Sequence, residues 1–182
     1  MVFIIILSAV LWLASFWMLF KREMAAPAVS FLALFILSLA KDSATSRALL
    51  PINSTILTGW LCMTLVVVTA SWLQPDAVKA QHRGVGYMTI GAFAGMAVGL
   101  LAFSVSVNMS MLYASMMVGV CVGIFLGYLL FTRTPDGNEL AKGSNRFFRY
   151  LLAKGFPIAI TVMIPGVVCV ISLAIFNNIV AY

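Results

Sequence analysis

The chain has 182 residues, of which 63% are hydrophobic and 9% are charged, and its mean hydropathy is +1.10. A soluble domain carries about a quarter charged residues, so this composition excludes an ordinary soluble protein and predicts a single membrane domain. The formal net charge of +6 does not indicate nucleic-acid binding, because the positive residues are divided among short loops. We expect an all-α fold, a polytopic bundle of six transmembrane helices over residues 1–182.

The first two predicted spans are residues 2–20 and 25–40, separated by a short charged connection. The first span ends at Lys21 and Arg22. No small-residue cleavage site followed by a soluble domain comes after it, so we interpret it as an uncleaved helix and not as a signal peptide. The second span begins near Pro27 and is the shortest of the six.

The third predicted span, residues 52–73, follows Pro51, which suits the first position of a helix. It is rich in hydroxyl side chains: Ser54, Thr55, Thr58, Thr64, Thr69 and Ser71. Such hydroxyls can donate hydrogen bonds to carbonyls of their own helix, which makes them inexpensive in lipid. Alternatively they line a polar path. The sequence leaves both interpretations open.

The fourth and fifth spans, residues 84–104 and 109–132, are predicted to form a helical hairpin at the centre of the fold. Each carries glycine at positions i, i+4 and i+8, which places the glycines on one helical stripe. The six glycines are Gly91, Gly95, Gly99, Gly119, Gly123 and Gly127. A turn near Met109 would bring the two stripes level, so we predict a glycine zipper in which the helices pack closely. The alternatives are a glycine-lined path or a surface for other subunits.

The loop of residues 133–155 is the longest connection. Its Thr134-Pro135-Asp136-Gly137 sequence is a strong turn signal. Residues 144–154 have arginines on one side of a helix and aromatic and leucine side chains on another, which is typical of an interfacial helix. We therefore predict contact with lipid headgroups through Arg146, Arg149 and Lys154. The alternative is that this stretch extends the sixth span.

The sixth predicted span, residues 156–176, contains Pro165 followed by Gly166. A proline inside a helix removes one backbone hydrogen bond and bends the helix, so this pair is predicted to be a kink or hinge.

The distribution of Lys and Arg predicts the orientation of the six spans. Nine of the eleven fall in loops on one side: Lys21, Arg22, Lys79, Arg83, Arg133, Lys142, Arg146, Arg149 and Lys154. Only Lys41 and Arg47 fall on the other side. The basic side is cytoplasmic by the positive-inside rule. We therefore expect an integral protein of the bacterial cytoplasmic membrane with both termini on the outer side.

The chemistry of the chain disfavours an enzyme. All five acids and the single histidine map to loops or span ends, whereas proton relays and intramembrane catalysis usually need ionisable groups in mid-membrane. One histidine and three scattered cysteines do not form a metal site, and no catalytic residue, cofactor or metal is predicted. We expect a transport or channel component for a small solute or a lipid-related molecule. The alternative is a non-catalytic scaffold or assembly subunit. Its partners would be the lipid bilayer and either further copies of the chain or other membrane subunits.

Overall fold

The computed structural model describes residues 2–21, 25–40, 50, 52–74, 84–102, 109–141 and 149–176. Within these ranges the protein is all-helical and has no β-strand. The elements in chain order are α1 (Val2–Lys21), α2 (Ala26–Ser38), α3 (Ser54–Trp72), α4 (Val85–Ala102), α5 (Met109–Thr132), α6 (Pro135–Ala141), a π-helical segment (Leu151–Gly155) and α7 (Phe156–Phe176).

Five helices in the described ranges are long and apolar enough to cross a membrane. They are α1, α3, α4, α5 and the continuous helix formed by the π-helical segment and α7. The second predicted span contains only the 13-residue α2, which at 1.5 Å per residue is about 20 Å long against a hydrocarbon core of about 30 Å. The crossing by α2, and with it the count of six spans, stays a prediction.

Helix α7 is the centre of the bundle. About two thirds (67%) of the apolar window spanning the π-helical segment and α7 is buried, against 17–39% in the other four candidate spans. It contacts each of the helices α1 to α5, and Ile158, Ile164 and Ile171 on it are fully buried. A helix that is apolar on all sides is suited to this position, because no face needs water.

Helices α4 and α5 form the most extensive helix pair, and their backbones are in contact at the glycines. A Cβ built on Gly95 would lie 3.0 Å from the Cα of Gly123, and one built on Gly119 would lie 3.3 Å from the Cα of Gly99. Only hydrogen fits at such positions, so side chains are excluded from the centre of this contact.

The described hydroxyls along the membrane helices are mostly bonded within their own helices. Thr64 donates to the carbonyl of Trp60 at 2.7 Å, and Thr161 donates to that of Pro157 at 2.7 Å. Ser30 of α2 instead donates to the carbonyl of Thr161 at 3.1 Å, which ties α2 to the central helix. Thr64 and Thr161 are thereby satisfied without a polar path.

The sequence Thr134–Gly137 starts the short helix α6, where we predicted only a turn. Thr134 Oγ1 accepts a hydrogen bond from the Gly137 N–H at 3.2 Å, as an N-cap does. Pro135 occupies the first helical position, where a missing N–H costs nothing. Residues that favour a turn also favour the first turn of a helix. In the described part of this loop they form a helix.

The segment before α7 continues the helix. Tyr150 and Phe156 flank the π-helical segment with helical backbone angles (φ −66°, ψ −43° and φ −65°, ψ −46°), so residues 149–155 run into α7 without a break. Of the two interpretations of residues 144–154, this part fits an extension of the sixth span. Residues 144–148 lie outside the described ranges, and the interfacial helix there stays a prediction.

Candidate functional site

The ends of several helices meet at what we call the basic end of the bundle, where α1, α3 and α5 end and α2, α4 and the π-helical segment begin. A Cβ on Gly86 would lie 3.9 Å from the Phe20 ring, and one on Gly84 would contact both Phe131 and Tyr150. These contacts place the starts of α4 and of the π-helical segment beside the ends of α1 and α5. The loops predicted to be cytoplasmic follow or precede these same helix ends.

An aromatic cluster surrounds Gly84 at this end. Gly84 has a φ of +92°, a conformation that glycine adopts without strain. A Cβ there would lie 2.7 Å from Phe131 Cδ1 and 2.8 Å from the Tyr150 hydroxyl oxygen. The Tyr150 ring lies 6.5 Å from the Phe131 ring and 6.0 Å from the Tyr128 ring, centroid to centroid. Glycine is required here for both its conformation and its size.

The π-helical segment carries a buried lysine. The Phe156 N–H donates to the carbonyl of Leu151, five residues earlier, which is the π-helical pattern and places one extra residue in the turn. Lys154 in this turn is only 1% exposed. Next to it, Gly155 leaves room for Leu151, whose Cδ1 would lie 2.7 Å from a Cβ at that position. Short π-helical turns inside α-helices occur frequently at functional sites.

Two buried hydroxyls at the basic end have no hydrogen-bond partner within the described part of the chain. Ser71 Oγ and Thr89 Oγ1 are both unpaired in the structure, and the two residues are 0% and 4% exposed. Ser71 lies in the last full turn of α3, and Thr89 lies in the second turn of α4. An unsatisfied buried polar group costs about 1–3 kcal/mol. They differ in this from Thr64 and Thr161, whose hydroxyls donate to carbonyls of their own helices.

Helix geometry brings these hydroxyls to the level of Lys154. Gly84 touches Tyr150, and α4 and α7 both run away from the basic end. Thr89 is five residues beyond Gly84 and Lys154 is four residues beyond Tyr150, so their heights along the bundle differ by no more than about one helical turn. The π-helical segment also packs against α3, whose buried stripe ends at Ser71. We call Ser71, Thr89 and Lys154 the polar site.

The polar site combines side chains that form hydrogen bonds. An ammonium group and two hydroxyls offer hydrogen-bond donors, and the hydroxyls can also accept. In the part of the chain that the structure describes, no group of three His, Cys, Asp or Glu side chains could hold a metal ion. Cys62, Cys121 and Cys169 are exposed on the surface of the bundle.

The three residues predicted to contact lipid headgroups differ in how far the structure exposes or describes them. Arg149 is exposed, as such a contact requires, and Arg146 lies outside the described residues. Lys154 is buried between helices, so we correct its assignment: its ammonium group does not lie on the lipid-facing surface. The signal available in the sequence was its position in an apolar run from Tyr150 to Ile164 that is broken only by Lys154 and Thr161 among polar residues. The predicted boundary between the loop of residues 133–155 and the sixth span divides this run.

The predicted kink lies where α7 meets the α4–α5 pair. Pro165 is inside α7, and a Cβ on Gly166 would lie 3.0 Å from both the Met96 and the Met116 sulfur atoms. Gly166 therefore lets two methionine side chains, one from each helix, reach the central helix. A hinge at this pair stays a prediction.

Two of the apolar grooves on the outside of the bundle border α5. One lies between α4 and α5, has a volume of about 410 Å³, and is lined by five of the six glycines together with large apolar side chains such as Ile90, Val98 and Leu126. The other lies between α5 and the start of α7, has a volume of about 240 Å³, and includes Leu151 and Gly155 in its wall. Both suit lipid chains or another helix.

No family model, curated protein or solved structure matches the chain.

Proposed function

We propose that the protein is a membrane transport or channel component for a small solute or a lipid-related molecule, and that the polar site binds this molecule. The observation that carries the proposal is the burial of Lys154 in the π-helical segment, at a height in the bundle similar to that of the buried hydroxyls of Ser71 and Thr89. Taking a charged group out of water costs several kcal/mol. Ionisable residues within membrane segments are usually retained for a function such as a substrate or ion pathway.

The topology that we propose has six spans, with α2 crossing the membrane and both termini on the outer side of the bacterial cytoplasmic membrane. The asymmetry of nine basic residues against two supports this arrangement. If α2 did not cross the membrane, Lys21 and Arg22 would lie on the opposite side of the membrane from the other seven basic residues of the predicted cytoplasmic loops. The basic end, and the polar site with it, then faces the cytoplasm.

We further propose that the six glycines act as a zipper that makes α4 and α5 one rigid unit. The backbone contacts of Gly95 and Gly119 support this role, since side-chain-free surfaces allow close packing in lipid. Thr89 lies on this unit and Lys154 on the continuous helix of α7. Relative movement of these two bodies would open and close the polar site.

Osmotic measurements on proteoliposomes test the transport function without knowledge of the solute. Vesicles with and without the purified protein are mixed rapidly with hyperosmotic glycerol, potassium glutamate, potassium phosphate or choline chloride, and re-swelling is followed by light scattering. We expect faster re-swelling than in protein-free vesicles for at least one solute. The acceleration is lost in Lys154→Met but kept in Arg133→Met, which removes an exposed positive charge at the same end. Re-swelling at the protein-free rate with all four solutes would contradict transport.

A scaffold or assembly subunit is the second candidate, and the groove between α4 and α5 favours it. Ile90 is 71% exposed and Val98 65% exposed along this groove, so a helix of another subunit could cover them. Native mass spectrometry of protein purified in mild detergent separates the two candidates. A stable hetero-complex without solute flux supports the scaffold, whereas the single chain with flux supports transport.

A further inference from the structure

We infer that the groove between α4 and α5 binds one phospholipid, with an acyl chain along the groove and the phosphate at Arg133. None of Ser71, Thr89 and Lys154 lines this groove, so the inference does not rest on the proposed transport function. It assigns a ligand to an apolar surface on the outside of the bundle.

The lining of the groove suits a hydrocarbon chain. Among the described residues that line it, only Tyr87 has a polar side-chain atom. Five glycines lie beside exposed apolar side chains such as Ile90 on α4 and Leu126 on α5. The volume of about 410 Å³ lies within the range of pockets that bind small molecules. An acyl chain in the groove gains dispersion contacts that the glycines, which have no side chains, leave unmade.

The length of the groove corresponds to one leaflet of a bilayer. Its lining residues run from Tyr87 to Val98 on α4 and from Gly119 to Leu130 on α5. At 1.5 Å per residue this is about 16 Å, close to half of a hydrocarbon core of about 30 Å. No residue of α5 before Gly119 lines the groove, so it occupies the half of α5 nearest the basic end. A transmembrane helix of a second copy or another subunit would extend along the whole of α5, whereas a lipid chain of one leaflet would not.

A positive charge lies where the phosphate of such a lipid would be. The lining residues of α5 follow the i, i+3, i+4 spacing of one helix face as far as Leu130, and Arg133 is the next residue in that spacing. The Arg133 N–H donates to the carbonyl of Leu130 at 3.3 Å, and residues three apart in such a turn are aligned along the helix. Arg133 is exposed. Because a guanidinium group forms paired, charge-assisted hydrogen bonds with phosphate oxygens, the charge and the groove together select a phospholipid.

Tyr87 adds a hydroxyl at the same end of the groove. It lies in the first turn of α4, it is 48% exposed, and its ring lies 6.0 Å from the Phe131 ring, centroid to centroid. Tyrosine is enriched where membrane helices reach the headgroups, because its ring is apolar and its hydroxyl is polar. The hydroxyl can donate to a phosphate or ester oxygen. An anionic lipid such as phosphatidylglycerol is favoured over phosphatidylcholine, whose headgroup carries a cation beside the phosphate.

Photolabelling by a phospholipid tests the inference directly. The purified full-length protein is mixed in dodecyl maltoside with a trace of phosphatidylglycerol that carries a diazirine near the end of one acyl chain, and the insertion site is mapped by mass spectrometry of peptides. We expect insertion near Val98 and Gly119. A diazirine near the ester should move the insertion towards Tyr87 and Leu130. Unlabelled phosphatidylglycerol should compete better than phosphatidylcholine.

Two pairs of variants separate the groove from the rest of the surface. Ala94 and Ala97 are both exposed on α4, but only Ala94 lines the groove. Ala94→Phe should therefore lose most of the labelling, and Ala97→Phe should keep it. Arg133→Met should lower the labelling about fivefold. Lys21→Met removes an exposed positive charge from the end of α1 and should leave the labelling unchanged.

Equal labelling of Ala94→Phe and Ala97→Phe, undiminished labelling of Arg133→Met, or insertion spread evenly over the exposed helix faces would each overturn the inference. No insertion in the groove would also overturn it, and a native mass of two chains in that case would assign the groove to a second copy. Arg133→Met lies outside the packed helices and tests the inference even if Ala94→Phe does not fold. Solute flux is not part of the measurement, so a failure of the proposed transport function would leave the result unchanged.

Discussion

Replacing Gly95 by isoleucine should separate α4 from α5. A Cβ at this position would lie 2.8 Å from the carbonyl carbon of Gly119 and 3.0 Å from the Cα of Gly123. Both neighbours are backbone atoms of a regular helix, so neither can rotate away as a side chain could. The same argument applies from the other helix to Gly123→Ile, because a Cβ there would lie 3.1 Å from the Cα of Gly95.

The size of the effect follows from these distances. Ordinary contact of a Cβ begins at 3.4 Å, so the first added carbon alone forces the backbones apart by at least about 0.6 Å. A gap of about 0.5–1 Å already loses a quarter to a half of each dispersion contact along the interface. In lipid there is little hydrophobic force to close the gap again. We therefore expect Gly95→Ile to lower the free energy of unfolding by about 1–3 kcal/mol.

The matched control is Gly59 on α3. It is also a glycine within an apolar helix, but a Cβ built there would meet no atom within 4 Å. Unfolding by sodium dodecyl sulfate in mixed micelles, followed by tryptophan fluorescence, should show a clear loss of stability for Gly95→Ile and none for Gly59→Ile. Equal stability of the two variants would refute the close packing of α4 on α5.

Three further predictions concern the basic end and the topology. Gly84→Ala should lower the unfolding free energy by about 1–3 kcal/mol because of its positive φ and the Phe131 ring, whereas Gly86→Ala should leave it unchanged in the same assay. Arg146→Glu with Arg149→Glu should weaken binding of phosphatidylglycerol by about 1 kcal/mol per residue, measured by native mass spectrometry from nanodiscs; undiminished binding would argue against headgroup contacts. Green fluorescent protein fused after Tyr182 should not fluoresce, because that end is predicted to lie outside, and bright cells would reverse the proposed orientation.

The positions of the helices could be predicted because each apolar run is bounded by charges, proline or glycine. The break after Lys21 and the proline at position 135 are examples. Whether α2 crosses could not be derived in the same way. The apolar run of residues 25–40 has 16 residues, whereas the regular helix α2 has 13. A run of this length suits either a short transmembrane helix or a helix buried in the protein.

The candidate site was not predictable from the sequence, because burial of a polar residue depends on its neighbours in the fold. In the sequence Lys154 follows Arg146 and Arg149, and the three together predict contact with lipid headgroups. It is buried because the continuous helix turns π-helical there and because α7 is surrounded by the other spans. The unpaired hydroxyl of Ser71 is likewise indistinguishable in the sequence from the satisfied hydroxyl of Thr64.

The side chain at position 154 provides the most direct test of the central claim that the buried positive charge binds the transported molecule. Re-swelling rates of proteoliposomes should be compared for the wild type, Lys154→Arg and Lys154→Met, at equal protein content and with the solute that the wild type accelerates most. We predict that Lys154→Arg keeps most of the acceleration and that Lys154→Met falls to the protein-free rate. Wild-type acceleration in Lys154→Met would contradict the account.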